Sequence, residues 1–147
     1  MSFIKVYIHF VWSTKNRYPY LETPELRKTM WKHIRENAKK KDIFVDFING
    51  YQEHCHCLVS LGDNQTMRQV MQLIKGESSY WINKKQLLSE KFEWQDEYFA
   101  VSVSESQIDK VRNYIKSQEE HHSRKTWKEE YAELIDRYGF QNFKDNE

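Results

Sequence analysis

The chain has 147 residues, and its 23 lysines and arginines nearly balance 22 aspartates and glutamates, leaving a formal net charge of +1. This length predicts one domain over residues 1–147, and a content of 39% hydrophobic and 15% aromatic residues excludes global disorder. Because the sequence has neither a secretory leader nor the ~20 consecutive apolar residues that span a bilayer, we expect a cytoplasmic protein with no membrane segment.

The chain begins with a predicted strand and helix. Apolar side chains alternate over residues 3–14, as on a strand with one buried face. Thr23 and Pro24 then fit the N-cap and the first position of a helix. The three lysines at 39–41 suit the end of that helix, where its dipole favours cations.

The middle of the chain predicts a hairpin, further helical segments and another strand. Residues 43–48 and 51–61 are strand-like, and the dipeptide Asn49-Gly50 between them is typical of a turn. The later elements are a short amphipathic helix over residues 67–74 that Gly76 interrupts, a second helical piece over 80–88, and a strand over 98–103.

Two sequence patterns mark helix starts in the last third of the chain. Ser104 to Gln107 fits a capping box ahead of a helix that continues through Gln118. Thr126 to Glu129 fits a second box, and the helix that follows should end at Gly139. The resulting order, βαββαβαα, predicts an α+β fold with helices packed on an antiparallel sheet, of the ferredoxin-like or RNA-recognition kind.

One predicted strand carries two histidines that could share a ligand. His54 and His56 are two residues apart, so both imidazoles stand on one face with Cα atoms roughly 6.5–7 Å apart. Cys55 and Cys57 point to the opposite face, where they form a core row and cannot bridge each other, which favours a reducing environment. A zinc site using these sulfurs is disfavoured. The imidazoles are candidates for one cation or, alternatively, ordinary hydrogen-bonded side chains.

A tyrosine and an amide in the next-to-last helix could complete such a site. Tyr114 and Gln118 are four residues apart, so one helix face presents both, about 6 Å apart along the axis. His121 continues this face. Taken alone, the pair would also suit a buried ring with a polar edge.

Together these motifs resemble the single-tyrosine transposases of the smallest bacterial insertion sequences, which belong to the HUH (His, hydrophobic, His) nucleases. Relatives of this family are associated with repeated extragenic palindromes. The resemblance extends over nearly the whole chain, and Cys55 is its main departure, a small hydrophobe where a larger one is usual. The segments that carry it are residues 9–17, 53–56, 58–61, 73–79, 94–98, 102–104 and 114–122.

The resemblance implies a fold and a chemistry. His54, His56 and Gln118 would hold one divalent cation, Mg²⁺ or Mn²⁺, and Tyr114 would attack single-stranded DNA to give a 5′-phosphotyrosine. Imidazole ligands lead us to expect tighter binding of Mn²⁺. No nucleotide cofactor is expected, because the chemistry conserves the energy of the bond and no Walker-type loop occurs.

The resemblance further implies a substrate and an assembly. The substrate would be single-stranded DNA with hairpin ends, and Lys15, Arg17 and Lys75 are candidate phosphate contacts. His121 could contact DNA or the tyrosine. The charge is segregated, with +6 over residues 1–91 and −5 over residues 92–147, although such charges can also be plain solvated ones. A homodimer with active sites shared between subunits is also implied.

Three alternatives remain open at this point. One is a domesticated relative that nicks and joins hairpin DNA with the same chemistry. Another is a non-catalytic, RNA-recognition-like module that binds nucleic acid, in which the histidines and the tyrosine are structural. A third is a metal hydrolase that uses water and needs no tyrosine.

Overall fold

The computed structural model describes residues 2–139. The strands are Val6–Ser13 (β1), Phe44–Gly50 (β2), His54–Leu61 (β3) and Phe99–Val103 (β4). The α-helices are Pro24–Lys40 (α1), Met67–Lys84 (α2), Ile108–Lys116 (α3), Gln118–His122 (α4) and Trp127–Tyr138 (α5). Single 3-10 turns lie at Lys15–Arg17 and Glu105–Gln107.

The strands form one sheet in the order β2-β3-β1-β4, and each neighbouring pair is antiparallel. The crossing helices α1 and α2 connect β1 to β2 and β3 to β4. This arrangement confirms the predicted α+β fold of the ferredoxin-like kind.

Helices cover both faces of the sheet. On one face, α1 and α2 pack over Phe10, Trp12 and Cys57 in the largest apolar cluster. On the other face, α3 packs over Leu58 and α5 packs over Val11. The predicted alternation along β3 is therefore confirmed, but the face that carries the histidines is also buried. Among residues 2–139, no helix combines the length and apolar character needed to cross a membrane.

The helix signals at Thr23 and Thr126 are confirmed. The hydroxyl of Thr23 accepts a hydrogen bond from the backbone N–H of Leu26 at 3.1 Å. Thr126 and Glu129 form a reciprocal capping box at the start of α5. Gly139 ends that helix with φ of 55°, in the left-handed region where glycine avoids a steric penalty.

The turn predicted at Asn49-Gly50 is wrong. Both residues belong to β2, where Asn49 lies opposite His56 and Gly50 opposite Cys55, and the hairpin turns over residues 51–53. Glycine is required here for packing, because a Cβ on Gly50 would collide with the carbonyl oxygen of His54. Glycine is thus present here because the backbones of β2 and β3 approach closely, whereas the sequence pattern suggested a turn.

Two further predictions fail at helix positions. Gly76 does not interrupt a helix, since α2 runs through it. Its outer side is open: apart from the neighbouring backbone of α2, no atom of residues 2–139 lies within 4 Å of the position that a Cβ would take. The Ser104 side chain makes no capping hydrogen bond. Its hydroxyl oxygen instead lies 3.2 Å from the hydroxyl oxygen of Ser106. A 3-10 turn, Glu105–Gln107, takes the place of the cap.

Candidate active site

The two histidines of β3 are held with their Nε2 atoms facing one space. Both side chains are completely buried, and their ring centroids are 5.1 Å apart. The other nitrogen of each ring has its own partner: Nδ1 of His54 lies 2.8 Å from Oε1 of Glu53, and Nδ1 of His56 lies 2.9 Å from Nε2 of His9. Such partners fix the orientation of metal-binding imidazoles. Sequence reasoning left Glu53 and His9 out of the site.

Tyr114 and Gln118 meet this pair, although they do not share one uninterrupted helix. The helix breaks at Ser117, whose φ and ψ are −91° and 16°, so that α3 ends and α4 begins between them. The prediction of a continuous helix is wrong. The break directs the Gln118 side chain inward, where Oε1 lies 2.9 Å from Nε2 of His54 and Nε2 donates to the Tyr114 carbonyl at 3.3 Å.

An asparagine on β2 stabilises this break. Nδ2 of Asn49 donates to the carbonyl oxygens of Ile115 and Lys116, at 3.0 and 3.1 Å. The last carbonyls of a helix have no partner within it, so these bonds satisfy groups that the break would leave free. Asn49 therefore fixes the segment between the nucleophile candidate and the ligand candidate.

Glu130 lies at the centre of the cluster, and sequence reasoning missed it. Its side chain is 1% exposed. Oε1 accepts a hydrogen bond from the Tyr114 hydroxyl at 2.7 Å and lies 2.7 Å from Nε2 of His56, while Oε2 is hydrogen-bonded to His122. No pattern distinguished it, because a glutamate in the first turns of a helix is most often solvated.

Burial and the central carboxylate set the charges of the cluster. Burial lowers the pKa of His56 to about 4, with Glu130 opposing the shift, and burial also lowers the pKa of His9 to about 3. Both rings are therefore neutral at neutral pH, the form that binds metals. Burial and the nearby carboxylate raise the pKa of Tyr114. For Glu130, burial favours the acid form, but the hydrogen bond from His122 and the closeness of the His56 and His54 imidazoles outweigh it and hold the pKa well below its usual value.

The donor atoms suit a divalent cation. The imidazole of His56 is buried, and within the described part of the chain its Nε2 has no hydrogen-bond partner in spite of its closeness to Glu130. The ligand atoms of His54, His122 and Glu130 all lie within 4.8 Å of one another. The cysteines do not contribute: Cys55 and Cys57 are free and lie in the opposite core, and burial raises the pKa of Cys57 to about 12.

The four candidate DNA contacts lie in different surroundings. His121 is beside Tyr114, with ring centroids 5.5 Å apart. Arg17 stacks over the Tyr131 ring of α5 at 4.6 Å, and Lys15 pairs with a glutamate at 3.4 Å. Lys75 lies on α2, which packs on the other face of the sheet, and donates to the Asp96 carbonyl at 2.8 Å.

Comparison with known proteins finds a matching family model and solved structures of similar fold. The family model "Transposase IS200 like" matches residues 2–118. A crystal structure of a protein provisionally described as a transposase, from Deinococcus radiodurans R1, has a TM-score of 0.64 and 20% identity, and the match covers 80% of this chain and 93% of that one. A REP-associated tyrosine transposase bound to a REP hairpin has a TM-score of 0.58 and 17% identity, with 86% and 73% covered. No curated protein sequence matches significantly.

Proposed function

The chain belongs to the IS200-like transposase family, and we propose that it cleaves and rejoins single-stranded DNA through a 5′-phosphotyrosine formed on Tyr114. One observation carries the proposal: the Tyr114 hydroxyl and Nε2 of His56 each lie 2.7 Å from the same carboxylate oxygen of Glu130. Nucleophile and cation ligand are therefore within reach of one phosphate group. This convergence is what a metal-assisted attack on a phosphodiester requires.

The metal would be held by His54, His56 and Gln118. A divalent cation bound there supplies positive charge that stabilises the negative charge developing on the scissile phosphate. Nitrogen ligands favour Mn²⁺ over Mg²⁺, which prefers an all-oxygen shell. Calorimetry should therefore show tighter binding of Mn²⁺, and the His54→Ala/His56→Ala double variant should not bind it.

The proposed reaction is a transesterification. The phenolic oxygen of Tyr114 gives up its proton and bonds to phosphorus as the bond from phosphorus to the 3′ oxygen breaks. The 3′ oxygen takes up one proton from water to become a free hydroxyl, so the step neither gains nor loses a proton. Glu130 accepts the hydrogen bond of the phenol and is the nearest group that can receive its proton. Attack by a 3′-hydroxyl on the phosphotyrosine then rejoins the DNA and restores the phenol.

The proposed substrate is single-stranded DNA with hairpin ends. The related REP-associated transposase is bound to a REP hairpin, which supports hairpin recognition by this fold. Arg17, which stacks on the Tyr131 ring of α5, and Lys15 in the same 3-10 turn are proposed phosphate contacts. A domesticated relative would share this chemistry, and the presence of element ends beside the gene would distinguish the two.

The decisive experiment looks for the covalent adduct. The full chain is incubated with labelled single strands from the DNA flanking its gene and with Mn²⁺ or Mg²⁺, and a denaturing gel is read for DNA linked to protein through its 5′ phosphate. Tyr114→Phe should abolish the adduct, whereas Tyr131→Phe, a matched change on α5, should retain it. Strand cleavage without any adduct would instead indicate hydrolysis by water, and binding without cleavage would indicate a non-catalytic module.

A further inference from the structure

The end of the described chain brings two more donors to the cation site. Glu130 lies on α5 and His122 at the end of α4, both beyond the stretch that the family model matches. We infer that Glu130 and His122 are additional ligands of the divalent cation, so that α4 and α5 complete the metal centre. This inference rests on the proposed cation site at His54 and His56.

The spacing of the donor atoms is that of one coordination shell. Metal–ligand bonds of 2.0–2.3 Å place adjacent ligands of an octahedral ion about 3 Å apart. Oε1 of Gln118 lies 2.9 Å from Nε2 of His54, and Oε1 of Glu130 lies 2.7 Å from Nε2 of His56. Oε2 of Glu130 lies 3.8 Å from Nε2 of His54 and is hydrogen-bonded to Nε2 of His122. Five donor groups from β3, α4 and α5 thus surround one small volume.

Two buried groups lack the partner that a cation would provide. Among residues 2–139, Nε2 of His56 makes no hydrogen bond of acceptable geometry, although its side chain is fully buried and Oε1 of Glu130 lies 2.7 Å away. Glu130 is also buried, and within residues 2–139 its ion pairs are all with imidazoles, so no lysine or arginine compensates its charge. A buried carboxylate without a permanent positive partner is costly, and a divalent ion between these atoms would satisfy both groups.

The resulting ligand set indicates the class of metal. Three imidazoles, one carboxylate and one amide oxygen form a nitrogen-rich set that suits Mn²⁺, Co²⁺ or Zn²⁺ better than Mg²⁺. Binding would replace the hydrogen bond between His122 and Glu130. Because Glu130 also accepts the hydrogen bond of Tyr114, the carboxylate would connect the metal centre directly to the nucleophile.

The test measures binding of Mn²⁺ alone to the full chain, from the electron paramagnetic resonance of free Mn²⁺. We expect Glu130→Gln and His122→Asn each to weaken binding at least tenfold. The matched control Glu133→Gln changes an exposed carboxylate on the same helix, one paired with Lys125, and should leave the affinity within twofold of the wild type. If either variant binds as tightly as the wild type, that residue is not a ligand. Tighter binding by Glu130→Gln would show that the carboxylate competes with the cation and would overturn the inference.

A second measurement needs no variant and covers the case in which a substitution prevents folding. Pulsed paramagnetic resonance of Mn²⁺ bound to the wild-type chain with ¹⁵N-labelled histidine counts the coordinated imidazoles. Three would support His122 as a ligand, and two would exclude it. Failure of the underlying site looks different: wild-type binding would then be absent, or unchanged in the His54→Ala/His56→Ala variant.

Discussion

The indole of Trp127 lies parallel to the imidazole of His54, with ring centroids 4.1 Å apart and 11° between the planes. Trp127 begins α5 and is 5% exposed, in a cluster with Val11 and Leu134. One side chain thus anchors the helix that carries Glu130 and also covers a proposed ligand. The packing of α5 and the geometry of the proposed metal site are therefore coupled.

We expect Trp127→Ala to lower the free energy of unfolding by about 3–5 kcal/mol, because it removes a large buried ring and leaves a cavity. Mn²⁺ affinity should fall as well, since His54 loses its stacking partner. Trp127→Phe keeps an aromatic ring, so its free energy of unfolding and its Mn²⁺ affinity should both fall less than in Trp127→Ala. Urea unfolding and Mn²⁺ titration provide the measurements, and a loss below about 1 kcal/mol in the alanine variant would show that α5 is not anchored here.

A second prediction concerns Asn49, which holds the carbonyls at the break between α3 and α4. Asn49→Ala should cost about 1–3 kcal/mol, because it leaves carbonyl groups without donors, and should weaken Mn²⁺ binding by displacing Gln118. Asn83→Ala is the matched control: it also removes hydrogen bonds to backbone, those with Phe92 beside α2. We expect Asn83→Ala to lower the free energy of unfolding about as much as Asn49→Ala does, but to leave the Mn²⁺ affinity unchanged. Equal loss of affinity in both variants would make the effect on the metal site non-specific.

Replacement of glycine by alanine should have opposite effects on stability at Gly50 and at Gly76. A Cβ on Gly50 would collide with the His54 carbonyl and lie 2.9 Å from Cζ2 of Trp31, so Gly50→Ala should be strongly destabilising. Gly76 lies in α2 with open space on that side, and Gly76→Ala should stabilise the protein by about 0.5–1 kcal/mol. Thermal unfolding of both variants tests this contrast, and a stable Gly50→Ala protein would contradict the register of β2 and β3.

These glycines also show where local sequence patterns fail. The sequence predicted a turn at Gly50 and a helix break at Gly76, yet Gly50 lies in β2 and Gly76 in α2. Packing between elements, rather than the local sequence, decides whether such a residue is part of a strand or helix. Strand alternation placed His54, His56 and the cysteines on the correct faces, since the period of a strand is fixed by its backbone. The role of Glu130 could not be predicted in this way. Its inward orientation depends on how α5 docks on the sheet, and no spacing along the chain encodes that contact.

Lys75 predicts a pH dependence in DNA binding. Burial lowers its pKa to about 8, against the opposing charges of Asp96 and Glu97, so the ammonium is charged at pH 7 and loses its proton as the pH rises to 9. If Lys75 contacts phosphate, affinity for single-stranded DNA should decrease across this window, and the slope of log affinity against log salt should fall by about 0.7. Lys75→Gln should bind more weakly at pH 7 and should lack this change. Parallel pH profiles of variant and wild type would exclude the contact.

The last prediction concerns which chains form one active site. The resemblance implies a homodimer that exchanges the tyrosine between subunits, but within this single chain Tyr114 and His56 already meet at Glu130, and Gln118 lies against His54. We therefore expect a site that is complete within one chain. Mixing Tyr114→Phe with His56→Ala subunits should then restore no cleavage, because each chain lacks one essential group.

Exchange of the tyrosine predicts a different outcome for the same mixture. Random pairing would give half mixed dimers, each with one intact composite site, and the mixture would recover about a quarter of wild-type cleavage. Native mass spectrometry would report whether mixed dimers form, and wild type mixed with a chain carrying both substitutions provides the control. Recovery near that level would show that Tyr114 leaves its own His56 to serve the partner, so that the contact with Glu130 must break before catalysis.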